Sequence, residues 1–356
     1  MPAPRPDRPA PVQPRDATRS TMTRSLSLAL AAFALLCAPA ARADEAHDLA
    51  VYGAFRAMDA RVATIGYRLA TTNVGLCDQR QPATGLVLSD VALYPAKQRA
   101  AAARAYSLGD AAPPVFVAAV AEASPAYAAG LRTGHAIAAI DGEPLATIAR
   151  HGDGDYARMA AIDGAMGRWL ADGELVVSVA SPTKTVAVTL DGTPACATIF
   201  QVKASASLGA AADGRYVQVT APLVDFARED EELAAVLAHE LAHNILRHRE
   251  RLDAADIDRG LLQEFGRSAR LTRATETEAD RLSVWLLAGA GYDPMAAVRF
   301  WTRWDKERGK PLIASATHGR SSTRIAAIED EIATMTAAKA ADPAARPALI
   351  AGLPRN

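Results

Sequence analysis

His239-Glu240-Leu241-Ala242-His243 decides how this chain reads. Two histidines four apart on a helix are separated by about 400° of turn and about 6 Å of rise, so both imidazoles face one way and can share a zinc ion. Glu240 is turned about 100° from His239, which puts its carboxylate beside such an ion rather than on it. There it can take a proton from water as that water attacks a peptide carbonyl, the chemistry of a metallopeptidase. The flanks predict helix. Glu229, Asp230, Glu231 and Glu232 stand at its start and Arg247, Arg249 and Arg251 near its end, each sign suiting the dipole end it faces. Leu233, Val236, Leu237, Leu241, Ile245 and Leu246 spread around most of the circumference, the pattern of a helix buried inside a domain.

A catalytic zinc takes three protein ligands and keeps one position open, so a third donor is required. His248, five residues past His243, lies about 140° further round while the helix continues, and it is rejected as a ligand. The segment Glu276-Thr277-Glu278-Ala279-Asp280 runs into the helix-spaced Leu282, Val284, Leu286 and Leu287. Glu276 and Asp280 share one face of that helix and Glu278 points elsewhere. One carboxylate of the aligned pair can bind zinc while the other orients a ligand histidine through its second ring nitrogen.

The order H-E-L-A-H, E-T-E-A-D, A-G-Y-D-P (Ala290 to Pro294) and T-H-G-R-S-S-T-R-I (Thr317 to Ile325) resembles the zinc peptidases that include HtpX, BepA and the CAAX prenyl protease, metallopeptidase family forty-eight. The resemblance covers residues 200–335, with a helix at 44–72 matching the family's opening helix. It implies one zinc per chain held by His239, His243 and Glu276, Glu240 as general base and acid, and Asp280 orienting a ligand from behind. His318 matches a histidine of the family's late motif, with a catalytic or regulatory place near the metal, and Arg324 matches that motif's arginine. Gly319 stands where the family usually has proline. Tyr216-Val217-Gln218-Val219-Thr220 alternates in the strand manner after the turn Asp213-Gly214, which predicts a hairpin strand beside the cleft. In peptidases of this arrangement an edge strand next to the metal pairs with the substrate backbone. The family often carries an Asn before the hairpin, where this chain has Lys203-Ala204-Ser205-Ala206-Ser207.

A second resemblance lies upstream. Val115-Phe116-Val117, Ser124-Pro125-Ala126, Ala129-Gly130-Leu131, Gly134 and Ile140-Asp141-Gly142 look like a PDZ domain of the bacterial protease type, with two more strands at 174–190 and His135 at the usual Asp position. Such a domain adds an extended peptide or chain terminus as a strand, or braces the catalytic domain. The carboxylate-holding loop is placed at Tyr106-Ser107-Leu108-Gly109-Asp110, with Leu108 and Gly109 as peptide-binding residues.

The N-terminus sets the expected compartment. After the Pro- and Arg-rich residues 1–21 come Met22, which offers a second start, then Arg24, the apolar stretch Leu26 to Cys37 and Ala41-Arg42-Ala43, a signal peptide pattern with cleavage before Asp44. Leu36 is too large for a lipid-attachment signal at Cys37. A soluble periplasmic or secreted protein without a stable membrane span is expected. Of the three cysteines, Cys77 and Cys196 remain, one on each side of the PDZ-like segment, and an oxidising compartment permits a disulfide between them.

With 356 residues, 50% hydrophobic, the chain can bury two ordinary cores, and a formal charge of -1 gives no reason to expect nucleic acid as a partner. The fold expected is α+β: a mainly helical zincin-type core with a small β-hairpin sheet, interrupted by a PDZ-like β-rich domain. Its boundaries are a leader at 1–43, the opening of the peptidase domain at 44–105, the PDZ-like domain at 106–192, the catalytic domain at 193–336 and a flexible tail at 337–356. Trp301 and Trp304 fall on a helix that Asp293 can cap and Pro294 begin, and read as core anchors. The function expected is a periplasmic zinc endopeptidase acting on unfolded or misassembled envelope proteins, with the PDZ-like domain recruiting or gating polypeptide. The alternative is a peptide-binding, chaperone-like protein whose zinc site is closed by His318; the intact Glu240 argues against it, since a structural site has no use for that carboxylate.

Overall fold

The computed structural model describes residues 20–109, 113–149, 152, 154–181, 183–257, 266–308 and 321–351, and of 20–43, 266, 267 and 321 the backbone alone. The chain forms two compact units, residues 1–48 and 49–356. Helix α1 (Ser20–Thr72) starts in the first and ends in the second. The chain then runs through β1 (Arg80–Ala83), β2 (Leu86–Asp90), α2 (Arg99–Ala105), β3 (Val115–Val120), α3 (Pro125–Ala128), β4 (Ala136–Ile140), β5 (Glu143–Pro144), α4 (Ala157–Trp169), β6 (Glu174–Ala180) and β7 (Thr185–Asp191). It continues with β8 (Thr193–Cys196), β9 (Ile199–Lys203), β10 (Ala210–Ala212), β11 (Tyr216–Thr220), α5 (Ala221–Phe226), α6 (Asp230–Ile245), α7 (His248–Ala254), α8 (Gly266–Gly289), α9 (Met295–Arg308) and α10 (Ser321–Ala341). Among the described residues no helix is long and apolar enough to cross a membrane.

Local chemistry accounts for the β-rich layer. The run Val115 to Val120 has no polar side chain and is buried along its whole length, as a central strand must be. Ser124 caps α3 by accepting from the Tyr127 N–H at 3.2 Å, Pro125 begins that helix, and Gly130 leaves it at φ +83°. Asp141 and Gly142 both take positive φ, 47° and 77°, the requirement of a tight hairpin between β4 and β5. The resulting antiparallel sheet has the order β2-β3-β4-β6-β7, with β5 also on β4. Val117, Ile137, Ile140, Leu175 and Val177 bury its inner face against Ile162 of α4. The layer begins before the boundary expected at residue 106, because β2 pairs with β3 from Leu86↔Val120 to Asp90↔Val115. Its other edge meets the helical part through β8, which pairs with β1 beside the Cys77–Cys196 disulfide.

The helical part is built around α6, whose Leu233, Leu237 and Leu241 are fully buried. Around it lie Ile65 and Leu69 of α1, Leu282 and Leu286 of α8, Phe300 of α9 and Ile328 of α10. Helices α8 and α10 are joined by Glu331, which accepts from the Trp285 indole N–H at 2.8 Å and from Arg281 at 2.6 Å. Asp293 caps α9 through the Met295 N–H at 3.0 Å, and Trp301 and Trp304 lie half-buried against the core. The small sheet has the order β10-β11-β9, antiparallel then parallel. The hairpin expected at Asp213-Gly214 is present, but Tyr216–Thr220 is the central strand and β10 and β9 are the edges. The tail expected to be loose after Ala337 is helical to Ala341 and then folds back. Ala345, Leu349 and Ile350 pack on the core and the Arg346 guanidinium donates to the Gly75 carbonyl, so apolar burial holds a segment whose prolines suggest looseness.

Candidate metal centre

Helix α6 brings its two histidines to the face of α8. His239 Nε2 and His243 Nε2 are 3.1 Å apart, and each is 3.5 Å from an oxygen of Glu276. The donor atoms of the three residues lie within 4.8 Å of one another. A tetrahedral zinc about 2.0–2.2 Å from nitrogen and oxygen ligands sets neighbouring donors about 3.3 Å apart, so this trio has the spacing such an ion needs. All three side chains are largely buried, which leaves few competing waters. Glu240 is buried next to His239 on the same helix, close enough to Arg324 for their charges to interact.

Behind His239 stands a carboxylate and a guanidinium. Asp280 Oδ1 is 3.0 Å from His239 Nδ1, and Arg324 donates from Nε to Asp280 Oδ2 at 2.8 Å and from Nη2 to Oδ1 at 2.5 Å. With the Nδ1 proton directed to Asp280, the Nε2 lone pair is left for a metal. Arg324 lies 3.8 Å over the Trp301 ring, so the indole serves a buried cation as well as the core. Burial and the Arg324 charge press the His239 imidazole downward, but the hydrogen bonds and charge of Asp280 and Glu276 outweigh them and raise it to about 9. Burial works against the Asp280 carboxylate, yet Arg324 and His239 keep it below its ordinary range. His243, buried and beside His239, is held well below the usual imidazole value.

His248 does not point away as a continuous helix would require. Helix α6 ends at Ile245, Arg247 takes the left-handed conformation at φ 52° and ψ 39°, and α7 starts in a new direction. His248 therefore folds back with its Nδ1 2.9 Å from His243 Nδ1, while its Nε2 is 3.1 Å from Glu278 Oε2. Burial holds His248 below its usual value, and the His248 hydrogen bond takes Glu278 down to about 2. The end of α6 is further held by Asn244, whose Oδ1 accepts from Gly214 N–H at 2.8 Å in the hairpin turn. The only sequence sign of these contacts is a histidine five residues after the motif and a carboxylate on the face of α8 opposite the ligand, and neither is legible without the helix break.

His318 lies outside the described residues. Leu108, expected together with Gly109 to hold a peptide terminus, donates its N–H to the Ala103 carbonyl at 2.8 Å and packs beside Tyr52, Tyr106 and Phe116. A cavity of ≈ 430 Å³ opens between edge strand β2 and helix α4. Gly85, Leu86 and Leu88 form one wall, Asp163 and Met166 another, and it extends to Phe200 of β9 and to Gly214 and Arg215 of the hairpin turn.

Residues 184–259 and 259–332 match the model of peptidase family M48. Over 138 residues the chain is 34% identical to the mitochondrial metalloendopeptidase OMA1 of Schizosaccharomyces pombe, which is 33% of this chain and 41% of that protein. Over 143 residues it is 29% identical to a Vibrio cholerae protein described as a beta-barrel assembly-enhancing protease, 32% of this chain and 30% of that protein. The chain thus spans less than half the length of these curated relatives. The matched stretch holds His239, Glu240, His243, Glu276, Asp280 and Arg324, and the likeness is to metallopeptidases, a family of zinc enzymes.

Proposed function

We propose, from the metallopeptidase likeness of residues 184–332 and the geometry within it, that this chain is a zinc-dependent endopeptidase. The observation that carries the reading is the convergence of His239 Nε2, His243 Nε2 and Glu276 at the spacing of one tetrahedral ion, with Glu240 on the same turn. A zinc ion held by His239, His243 and Glu276 would supply a Lewis acid and make water more acidic. Glu240 would accept a proton from the attacking water and deliver it to the leaving nitrogen. Asp280 and Arg324 keep the His239 ring in one tautomer and orientation. The buried setting of the trio keeps these charges strong.

The substrate in this reading is an extended, unfolded polypeptide, and misassembled envelope proteins are the proposed class. An exposed edge of the small sheet, β10, offers backbone groups for a substrate strand with little regard for sequence. The sheet of β2–β7 acts as the PDZ-like module, and its peptide groove is the space between β2 and α4 rather than Leu108 and Gly109. Periplasmic or secreted location is proposed from the leader pattern at residues 22–43, and the Cys77–Cys196 bond supports it, since such bonds persist in oxidising compartments. The test is cleavage of casein by wild type and Glu240→Gln, each at defined zinc occupancy. Cleavage by wild type and its loss by about 10²–10⁴-fold in Glu240→Gln are expected. Absence of cleavage in both, with peptide still bound, overturns the enzyme reading in favour of a peptide-binding protein with a closed metal site.

A further inference from the structure

The geometry points to His248 as a positioning residue for His243, the middle link of a Glu278–His248–His243 chain that fixes the second imidazole of the metal site. The inference rests on the reading of His239, His243 and Glu276 as zinc ligands.

His243 directs Nε2 toward His239 and Glu276, so in the neutral ring its proton sits on Nδ1. The nearest partner of that proton is His248 Nδ1 at 2.9 Å. An acceptor at Nδ1 makes His248 the Nε2–H tautomer, and that N–H meets Glu278 Oε2 at 3.1 Å. Arg251 closes the chain by donating to Glu278 from Nη1 at 2.6 Å and from Nη2 at 3.4 Å. Every donor meets an acceptor in this one direction. His248 is 2% exposed, so water does not substitute for it.

The backbone is arranged to make this contact. Arg247 occupies the left-handed region, which is unfavourable for a non-glycine residue, and its guanidinium is paired with the Asp78 carboxylate. Without that turn His248 would follow α6 away from the site. On α8 the alternation of carboxylates then has a purpose: Glu276 faces the imidazoles, Asp280 stands behind His239, and Glu278 stands behind His248. The two ligand rings are thus held by independent carboxylates, one directly and one through an added imidazole. A carboxylate-backed hydrogen bond fixes ring orientation and raises ligand basicity, and losing such a partner weakens metal binding by about 10–100-fold.

The test uses the whole chain as wild type, His248→Ala and Glu278→Gln, with zinc affinity measured by chelator competition and the visible spectrum recorded after cobalt substitution. His248→Ala should bind zinc about 10–100-fold more weakly, shift the cobalt bands and regain both properties when imidazole is added to fill the space. Glu278→Gln should weaken zinc in the same direction by less, and it decides the matter alone if His248→Ala does not fold. Wild type that binds zinc, with unchanged affinity and spectrum in the variants, overturns the role of His248 only. Wild type that binds no zinc overturns the metal centre itself, and this inference with it.

Discussion

Asp280 serves two neighbours, and its removal separates structure from metal binding. It accepts from Arg324 and faces His239 Nδ1, with both side chains almost fully buried. Asp280→Ala strands a buried guanidinium and should cost about 3–5 kcal/mol of stability in urea unfolding. It should also weaken zinc binding about 10–100-fold. In Asp280→Ala/Arg324→Met the stability should largely return while the zinc affinity does not, because the charge has gone but the ring partner is still missing. Asp59 on α1 gives a pH prediction away from the site. Burial raises its carboxyl to about 7, although the Tyr106 hydroxyl donates to it at 3.0 Å. Between the ordinary carboxylate value and this one the folded chain holds a proton that the unfolded chain has released. Stability should therefore fall as pH rises through that window and level off above about pH 7. Urea midpoints at about pH 5 and about pH 8 measure the slope, and Asp59→Asn should reduce it.

At the scale of elements, close approach decides what α1 contributes. A Cβ at Gly66 would stand 2.4 Å from Phe200 Cγ, so α1 and β9 touch where only hydrogen fits. Gly66→Ala should destabilise by about 1–3 kcal/mol in thermal or urea unfolding, despite the better helix propensity of alanine. An unchanged midpoint would show that Phe200 can move aside. The motif helix itself was legible residue by residue: its charged ends, its apolar circumference and the two histidines on one side all follow from local periodicity. Its end was not. At the turn the Arg247 guanidinium meets the Asp78 carboxylate, far back in the chain, a contact that no window around His248 contains. The same holds for β11, whose alternation marks a strand but leaves open whether it lies at an edge. The parallel pairing with β9 makes it central.

For the whole molecule, the Cys77–Cys196 bond is the long-range tie. It spans a sequence separation of 119 with a Cα–Cα distance of 5.5 Å, and encloses the six-stranded sheet between the opening helix and the small sheet. Cys77→Ser/Cys196→Ser should lose about 2–5 kcal/mol of stability, read by urea unfolding of oxidised wild type against the double variant. The loss should appear in wild type when reductant is added. The cavity between β2 and α4 is walled partly by this enclosed stretch and partly by α1, β9 and the hairpin turn that Asn244 fastens to α6.

Local chemistry could be read from the chain alone: a helix of 3.6-residue period puts His239 over His243 and Glu276 over Asp280, whatever surrounds them. The sequence also marked the capped helix at Pro125, the Asp141-Gly142 hairpin and the helix that Asp293 begins, since caps and tight turns are satisfied by neighbours in the chain. How the aligned pair divides its contacts, where His248 turns and why β11 lies in the middle of its sheet follow instead from the folded arrangement. Those choices depend on contacts between segments far apart in sequence, where packing and charge pairing select one arrangement among several that local periodicity allows equally.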